Sequence, residues 1–305
     1  MVKRLIFVHG INNQDYSVDE IQEKWSNALR GSLGAVANTW WGDDLEIRTA
    51  YYADVLHAAE QEWKATSEAV TAMAANSPEG DFAPDEVAAL YLEFQRVSGL
   101  SDDQVRQYLD PEDDRHVRAV RMGSGIHKKW LKAIARALEE ILPGAAPGVA
   151  RAFLPQAAAY LHKPGLFDEI NSRVENQVFN GIADDAQTVV VAHSLGTIVS
   201  YVTLRKMMGN RSVPLFLTLG SPLGIDIVKR RIQGPYVRPP VVRKWTNGSD
   251  PEDFVALHPE LNRETFGPAE VDNHATLDNG HNNPHDITRY LGQPAVALAV
   301  AQAFS

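Results

Sequence analysis

The 305-residue sequence contains no cysteine, no long apolar run and fewer basic than acidic residues. The lack of cysteine excludes disulfide bonds, thiolate metal sites and a cysteine nucleophile. No stretch approaches the roughly 20 apolar residues that a membrane-spanning helix needs. The apolar run after Lys3-Arg4 is too short for a signal peptide. We therefore expect a cytoplasmic protein without a transmembrane segment. The formal net charge of −10 argues against a nucleic-acid partner.

Short apolar runs alternate with helical patterns along much of the chain. A hydrophobic fraction of 44% and a charged fraction of 22% are typical of globular proteins. Apolar runs without polar alternation predict strands buried on both faces. Helices between such strands predict a mostly parallel central sheet flanked by helices, which is an α/β fold. The predicted strands are Leu5–Val8, Leu45–Val55, Thr188–Ala192, Val213–Leu219, Val241–Asn247 and the weaker Ala269–His274.

Residues 58–183 depart from this alternation. They are rich in alanine and carry apolar residues at helical spacing. Since one helix suffices between two parallel strands, most of this span is an insertion. We expect residues 1–57 and 184–305 to form the core and residues 58–183 a large, mostly helical cap or lid at the carboxyl ends of the strands. A scaffold extension or an oligomer surface is the alternative. The predicted helices here are Glu60–Ala75, Asp85–Val97, His116–Leu142, Gly148–Leu161 and Phe167–Ile182.

The residues around Ser194 have the most specific local pattern in the chain. A buried strand ends at Ala192, and a helix is predicted over Thr197–Met208. A serine on a sharp turn between a strand and a helix is typical of an exposed nucleophile. Gly196 supplies the small residue that such a turn requires on one side, and on the other side Ala192 stands where a glycine is usual. The alternative is that Ser194 is an ordinary helix N-cap.

A serine nucleophile needs a histidine base and a carboxylate that orients this base. In chains with this kind of turn, the acid and then the histidine follow the serine. Three carboxylates, Asp250, Glu252 and Asp253, follow the second predicted strand after the serine, and the last loop contains His281 and His285. The order along the chain leaves the acid and the base open.

Six short motifs occur in order from the first strand to the last helix. They are Phe7–Asn13, Tyr52–Asp54, Ala192–Gly196, Leu219–Leu223, Trp245–Val255 and His285–Leu291. In these motifs the chain resembles the α/β-hydrolases of the serine esterase and lipase type, particularly bacterial lipase-like groups with His-Gly-Ile-Asn-Asn after the first strand. The insertion is unmatched. The resemblance implies an α/β-hydrolase fold and a serine carboxylic ester hydrolase.

The resemblance also implies which acid and base to choose. Related lipases carry Asp-x-Val at the acid turn, which Asp253 matches, and they place the base shortly before a Tyr-Leu pair, as His285 is placed. Asp250 and His281 are the second choices. Asp226 lies one strand too early for the usual acid position and ranks third.

In that family, the backbone N–H groups after His-Gly and after the nucleophile bind the oxyanion. Here they belong to Ile11 and Leu195. We expect His9 to shape this loop and His193 to point away from the serine. Ser194 would attack an ester carbonyl and form an acyl-enzyme, which water activated by the base would release.

No cofactor is implied, and we expect a small-molecule or lipid ester with a hydrophobic acyl group as substrate, since the insertion is apolar. A phospholipase, thioesterase or amidase with the same triad is an alternative, as is a non-catalytic interaction protein on a hydrolase scaffold. A late cluster of histidines and aspartates matches no zinc spacing, so no metal is expected. Its members are His274, His281, His285, Asp272, Asp278 and Asp286.

Overall fold

A computed structural model describes residues 2–62, 85–111, 128–141, 148–181, 186–207 and 212–305. Its strands are β1 (Lys3–Val8), β2 (Leu45–Ala50), β3 (Gln187–His193), β4 (Val213–Leu219), β5 (Val242–Gly248) and β6 (Asp272–His274). They form one six-stranded sheet in the order β2–β1–β3–β4–β5–β6. All five strand pairs are parallel. The predicted α/β class, with a parallel central sheet flanked by helices, is confirmed.

Helices cover both faces of this sheet. A 3₁₀ helix over Gly34–Thr39 and a π-helical turn over Glu175–Phe179 supplement the α-helices. The α-helices are α1 (Val18–Leu33), α2 (residues 53–62), α3 (Asp85–Val97), α4 (Asp102–Arg106), α5 (Lys128–Ile141), α6 (Val149–His162), α7 (Leu166–Val174), α8 (Leu195–Lys206), α9 (Asp226–Ile232), α10 (Ile287–Leu291) and α11 (Pro294–Ala303).

Successive residues of β1 alternate between two apolar layers. Leu5 and Phe7 belong to the layer that contains α1, α10 and α11. Ile6 and Val8 belong to the layer that contains α8 and the described helices of the insertion. All four side chains are fully buried. This two-sided burial is the reason that β1 has no polar alternation from Leu5 to Val8.

The helices of the insertion are continuous with the core. The rings of Phe94 on α3 and Phe153 on α6 lie 5.6 Å apart, and both contact the ring of Phe254, which follows β5. The Glu93 carboxylate accepts the first backbone N–H groups of α9, including that of Ile227 at 3.0 Å. The insertion therefore packs directly on the segments that leave the carboxyl ends of the strands.

Four predicted elements differ from the observed ones by three or more residues at an end: β2, α2, the helix before β3, and β6. β2 ends at Ala50 instead of Val55, because the Tyr52 N–H donates to His9 Nε2 (3.3 Å) and α2 begins at residue 53. The helix predicted over Phe167–Ile182 is α-helical only to Val174 and then forms the π-helical turn. The weak strand is limited to β6. Residues 63–75, 116–127, 142, 182 and 208 of the predicted helices lie outside the described residues.

The adjacent strands β1 and β3 leave the sheet at the same end. Since β2 lies on the other side of β1, this is the point at which the order of the strands reverses. In open α/β sheets ligands bind in the crevice at such a point, beyond the carboxyl ends of the strands. The segments that follow β1 and β3 therefore lie where a ligand site is expected.

Candidate active site

Ser194 is the only residue between β3 and α8. Its φ of 54° and ψ of −128° are rare for a residue with a side chain. Such strain costs about 1–3 kcal/mol and persists only where contacts hold it. Here the Ser194 N–H donates to the Leu219 carbonyl (3.0 Å), and Thr197 Oγ1 donates to the Ser194 carbonyl (2.7 Å). The Ser194 side chain makes no capping hydrogen bond to α8, so the N-cap alternative does not hold.

The segment after β1 passes directly against this turn. A Cβ atom on Gly10 would lie 2.6 Å from Ser194 Cβ. A Cβ atom on Gly196 would overlap the carbonyl oxygens of Val8 and His9. Glycine is therefore required at both positions by close approach. The sequence predicted crowding between the strand and the helix of the turn itself, whereas the crowding at Gly196 comes from the end of β1.

His285 lies between Ser194 and Asp253. Its Nε2 is 2.9 Å from Ser194 Oγ, and its Nδ1 is 2.7 Å from Asp253 Oδ2. The exposed fractions of the three residues are 0% for Ser194, 8% for His285 and 2% for Asp253. Because Nδ1–H donates to the carboxylate, a neutral ring has its free lone pair on Nε2 and accepts the serine hydroxyl proton.

The Asp253 carboxylate accepts hydrogen bonds on both oxygens. Oδ1 accepts the Val255 N–H (2.9 Å), and Oδ2 accepts the Tyr290 hydroxyl (2.7 Å) as well as the imidazole N–H. Burial by itself raises the pKa of Asp253. The adjacent His285, the Tyr290 hydroxyl and the Val255 N–H outweigh burial, and the pKa lies below its ordinary value. The carboxylate is therefore ionised at neutral pH.

His193, which we expected to point away from the serine, has its ring against that of His285. Its ring centroid lies 4.5 Å from that of His285, and its Nε2 lies 2.9 Å from the His285 carbonyl oxygen. A carbonyl only accepts, so the proton of this ring is assigned to Nε2. Burial, and then the nearby His285, lower the pKa of His193 well below its ordinary value. A neutral His193 thus holds the backbone of His285 from the turn that carries Ser194.

His9 shapes the loop after β1, as expected from the sequence. Its Nδ1 lies 2.7 Å from the Gly10 carbonyl oxygen, and its Nε2 accepts the Tyr52 N–H (3.3 Å). Its ring stacks on that of Tyr52 with a centroid distance of 4.3 Å. Burial lowers the pKa of His9 to about 4. The ring is neutral at pH 7 and acts as a fixed spacer between β1 and β2.

The lower-ranked candidates lie elsewhere. The Asp250 carboxylate accepts the Glu252 N–H (2.7 Å) and the Asn279 N–H (2.5 Å), and so it holds two loop segments. His281 is paired with Glu252 at 2.7 Å, and its side chain is 84% exposed. Asp226 begins α9 and pairs with a lysine one turn later. Within the described part of the chain, no hydrogen bond joins any of these three side chains to the serine or to His285.

The two residues predicted to bind an oxyanion flank the serine. Leu195 is the first residue of α8, so its N–H has no acceptor within the helix and lies at the positive end of the helix dipole. Ile11 follows Gly10, which lies against Ser194. Asn13 Nδ2 donates to the Ile11 carbonyl oxygen (2.7 Å) and restrains the peptide that follows. The oxyanion role of both N–H groups stays a prediction.

The insertion contacts this loop through Gln156, a buried side chain of α6. Gln156 Oε1 accepts the Asn12 N–H (3.3 Å), and Gln156 Nε2 donates to Asn12 Oδ1 (3.2 Å) and to Glu60 Oε2 (2.9 Å). Asn12 has a φ of 57°, in the left-handed region that asparagine adopts more readily than most residues, and these contacts fix it there. The insertion therefore holds the residue that follows Ile11.

The late histidines and aspartates do not converge. His285 binds Asp253, His281 binds Glu252, and His274 lies 3.9 Å from Asp272. Across the described ranges, no group of three or more histidine, aspartate or glutamate side chains could hold a metal ion.

Among the described residues, no helix is both long and apolar enough to span a membrane.

No protein-family model, curated protein or solved structure significantly matches the chain.

Sequence reasoning missed three supporting side chains: the Tyr290 hydroxyl on Asp253, the His193 ring on His285 and the Gln156 amide on Asn12. Tyr290 had a signal, since it belongs to the Tyr-Leu pair after His285, but nothing in the sequence indicated that its hydroxyl binds Asp253. Each of these contacts joins residues that lie at least 37 positions apart in the chain, beyond the range of local patterns.

Proposed function

We propose that the protein is a serine hydrolase of α/β-hydrolase fold that cleaves carboxylic esters. The observation that carries the proposal is the hydrogen-bond series from Asp253 through His285 to Ser194, with distances of 2.7 and 2.9 Å. It lies at the carboxyl end of a parallel sheet, with Ser194 on a strained turn. A serine, a histidine and a buried carboxylate in this order supply a nucleophile, a base and the group that orients the base.

In the first half of the reaction, Ser194 Oγ attacks the ester carbonyl carbon while its proton passes to His285 Nε2. The imidazolium that forms is stabilised by the ionised Asp253. The tetrahedral intermediate then expels the alcohol, which takes the proton from His285. The acyl group remains on Ser194 as an ester.

The negative charge of the intermediate needs donors placed in advance. The Ile11 and Leu195 N–H groups are the candidates, and each such donor is worth about 3 kcal/mol of transition-state stabilisation. Gly10 permits this arrangement, because any side chain there would occupy the space of Ser194.

In the second half, His285 takes a proton from water, the water oxygen attacks the acyl carbon, and Ser194 leaves with the proton. The products are a carboxylic acid and an alcohol. The substrate class is an ester with a hydrophobic acyl group, from a small molecule or a lipid. The insertion, which contributes Phe94 and Phe153 to the apolar layer beside Phe254, supports this class.

The test is hydrolysis of p-nitrophenyl esters of increasing acyl length, together with labelling by a fluorophosphonate probe. We expect turnover and labelling by the wild type, and neither by Ser194→Ala. His285→Ala should lose turnover while its thermal unfolding stays cooperative.

Ser200→Ala is the matched control. Ser200 is a buried serine on α8, and its hydroxyl has no hydrogen-bond partner among the described residues. It should keep both turnover and labelling. A wild type that hydrolyses no ester and takes up no probe would refute the proposal and favour a non-catalytic protein. Labelling without ester turnover would redirect the search to thioesters, amides or phospholipids.

A further inference from the structure

Tyr290 binds the carboxylate that orients the proposed base. It lies on α10, is fully buried, and its hydroxyl oxygen is 2.7 Å from Asp253 Oδ2. Asp253 Oδ2 also accepts the His285 Nδ1–H at 2.7 Å. We propose that Tyr290 is a positioning residue, which shares Asp253 Oδ2 with His285 and thereby sets how readily the imidazole takes a proton. This inference rests on the proposed function.

The hydrogen-bonding capacity of the atoms determines the direction of the contact. An ionised carboxylate accepts and cannot donate, so the Tyr290 hydroxyl is the donor. Burial raises the pKa of Tyr290 well above its ordinary value, and the phenol keeps this proton at every pH at which the site could work. The donor is therefore permanent.

The Tyr290 hydroxyl also restrains the turn that carries the carboxylate. Its oxygen accepts the Asp250 N–H (3.1 Å) while its proton is given to Asp253. One hydroxyl thus fixes the first residue of the turn and its functional side chain together. A purely structural role would require only the contact with the Asp250 N–H.

Sharing one oxygen between two donors has a chemical consequence. Each donor withdraws charge from Oδ2, so the Tyr290 hydrogen bond weakens the attraction between Asp253 and a protonated imidazole. Without the hydroxyl, Oδ2 interacts more strongly with the imidazolium. A base that holds its proton more tightly is inactive up to a higher pH, and the acid limb of the pH–rate profile moves upward.

Other titratable groups near His285 do not obscure this effect. His193 faces it from β3, and His9, which follows β1, interacts electrostatically with His193. Burial lowers the pKa of both, and each is neutral near pH 7. Asp253 is the charged group in direct contact, and the Asp250 carboxylate is bound to backbone N–H groups. The Asp286 carboxylate caps its own helix, α10.

The experiment compares full-length wild type with Tyr290→Phe by two independent measurements. The first is the pH dependence of kcat/KM for a p-nitrophenyl ester. The second is an NMR pH titration of the His285 ring, which requires no turnover. Both midpoints should move upward by about one pH unit, the lower end of what a hydrogen bond to a charged group provides. KM should change little.

Tyr160→Phe is the matched control, because it also removes a buried hydroxyl hydrogen bond, at 3.0 Å to Asn171, away from the site. It should leave both midpoints in place. If Tyr290→Phe fails to fold, 3-fluorotyrosine at position 290 keeps the hydroxyl as a stronger donor. Both midpoints should then move downward.

The two measurements separate the two proposals. A shift in the NMR midpoint of a protein that hydrolyses nothing supports the role of Tyr290 and refutes the proposed reaction. An active enzyme in which neither change at position 290 moves either midpoint overturns the inference about Tyr290. A shift of equal size in Tyr160→Phe would overturn it as well.

Discussion

Replacing Asp253 with asparagine tests the proposed mechanism most directly. Oδ1 accepts the Val255 N–H, and Oδ2 accepts the His285 N–H and the Tyr290 hydroxyl. An amide has one acceptor oxygen and one donor nitrogen. If its oxygen keeps the Val255 N–H, its nitrogen faces the imidazole. The ring must then accept at Nδ1 and carry its proton on Nε2, where it donates toward Ser194 instead of accepting.

The expected loss in kcat is about 10⁴-fold, because the wrong tautomer cannot act as a base although the geometry is preserved. This corresponds to about 5 kcal/mol of transition-state stabilisation. Folding should also weaken by about 1–3 kcal/mol, since the amide cannot satisfy three buried donors.

Asp250→Asn is the matched control. Asp250 is also buried, and its two oxygens also accept N–H groups, from Glu252 and Asn279. The same substitution should therefore destabilise the fold by a similar amount. It should change kcat by less than about tenfold, because the Asp250 carboxylate does not touch the imidazole. The substitution can affect catalysis only through a small displacement of the turn that carries Asp253.

The assay measures kcat for the fastest p-nitrophenyl ester and the free energy of unfolding by urea for all three proteins. Asp253→Asn within tenfold of wild-type kcat would refute the assignment of the acid. An Asp250→Asn variant that loses as much activity as Asp253→Asn would do the same, because the two losses would then reflect a disturbed turn.

Three further predictions concern the surroundings of the site. Gly196→Ala should lower the free energy of unfolding by about 1–3 kcal/mol, because the new Cβ would meet main-chain oxygens. Gly31→Ala, whose Cβ would meet open space, should not destabilise the protein. Equal free energies of unfolding in urea for the two variants would contradict this prediction. Burial lowers the pKa of His9 to about 4, so the unfolded chain binds this proton near pH 6.5 while the folded protein does not. His9 therefore removes about 3 kcal/mol from the free energy of unfolding as the pH falls from 6.5 to 4. In His9→Asn the free energy of unfolding in urea should depend less steeply on pH over this range. An unchanged pH dependence would contradict this prediction. Gln156→Leu should lower kcat by about tenfold with little change in KM, because Asn12 loses two hydrogen bonds and the neighbouring Ile11 N–H group moves. A change in KM alone would mean that this loop only binds substrate.

The parallel sheet could be predicted because its signal is local. The central strands β1, β3 and β4 are covered on both faces, so that every residue of a run such as Val189–Val191 is apolar. The end of β2 could not be predicted, because Tyr51 and Tyr52 are aromatic residues that suit a strand as well as the residues before them. The contact between the Tyr52 N–H and His9, 43 residues earlier, is what takes the chain out of the sheet.

The position of Ser194 between a strand and a helix was also a local property. A buried strand that meets a helix at one small polar residue leaves few conformations for that residue. By contrast, the partner of the neighbouring His193 could not be predicted, since it is a carbonyl group 92 positions away.

The chain by itself determined the α/β class, the strand–serine–helix turn, and a short set of carboxylates and histidines that could serve this serine. Only the tertiary structure decided which of them meet, because Asp250 and Asp253 differ by three positions in a turn and their side chains point to different partners. Spacing along a chain limits how far a side chain can reach. Its direction depends on donors and acceptors that folding brings from distant segments, and these give Asp253 an imidazole and Asp250 two backbone N–H groups.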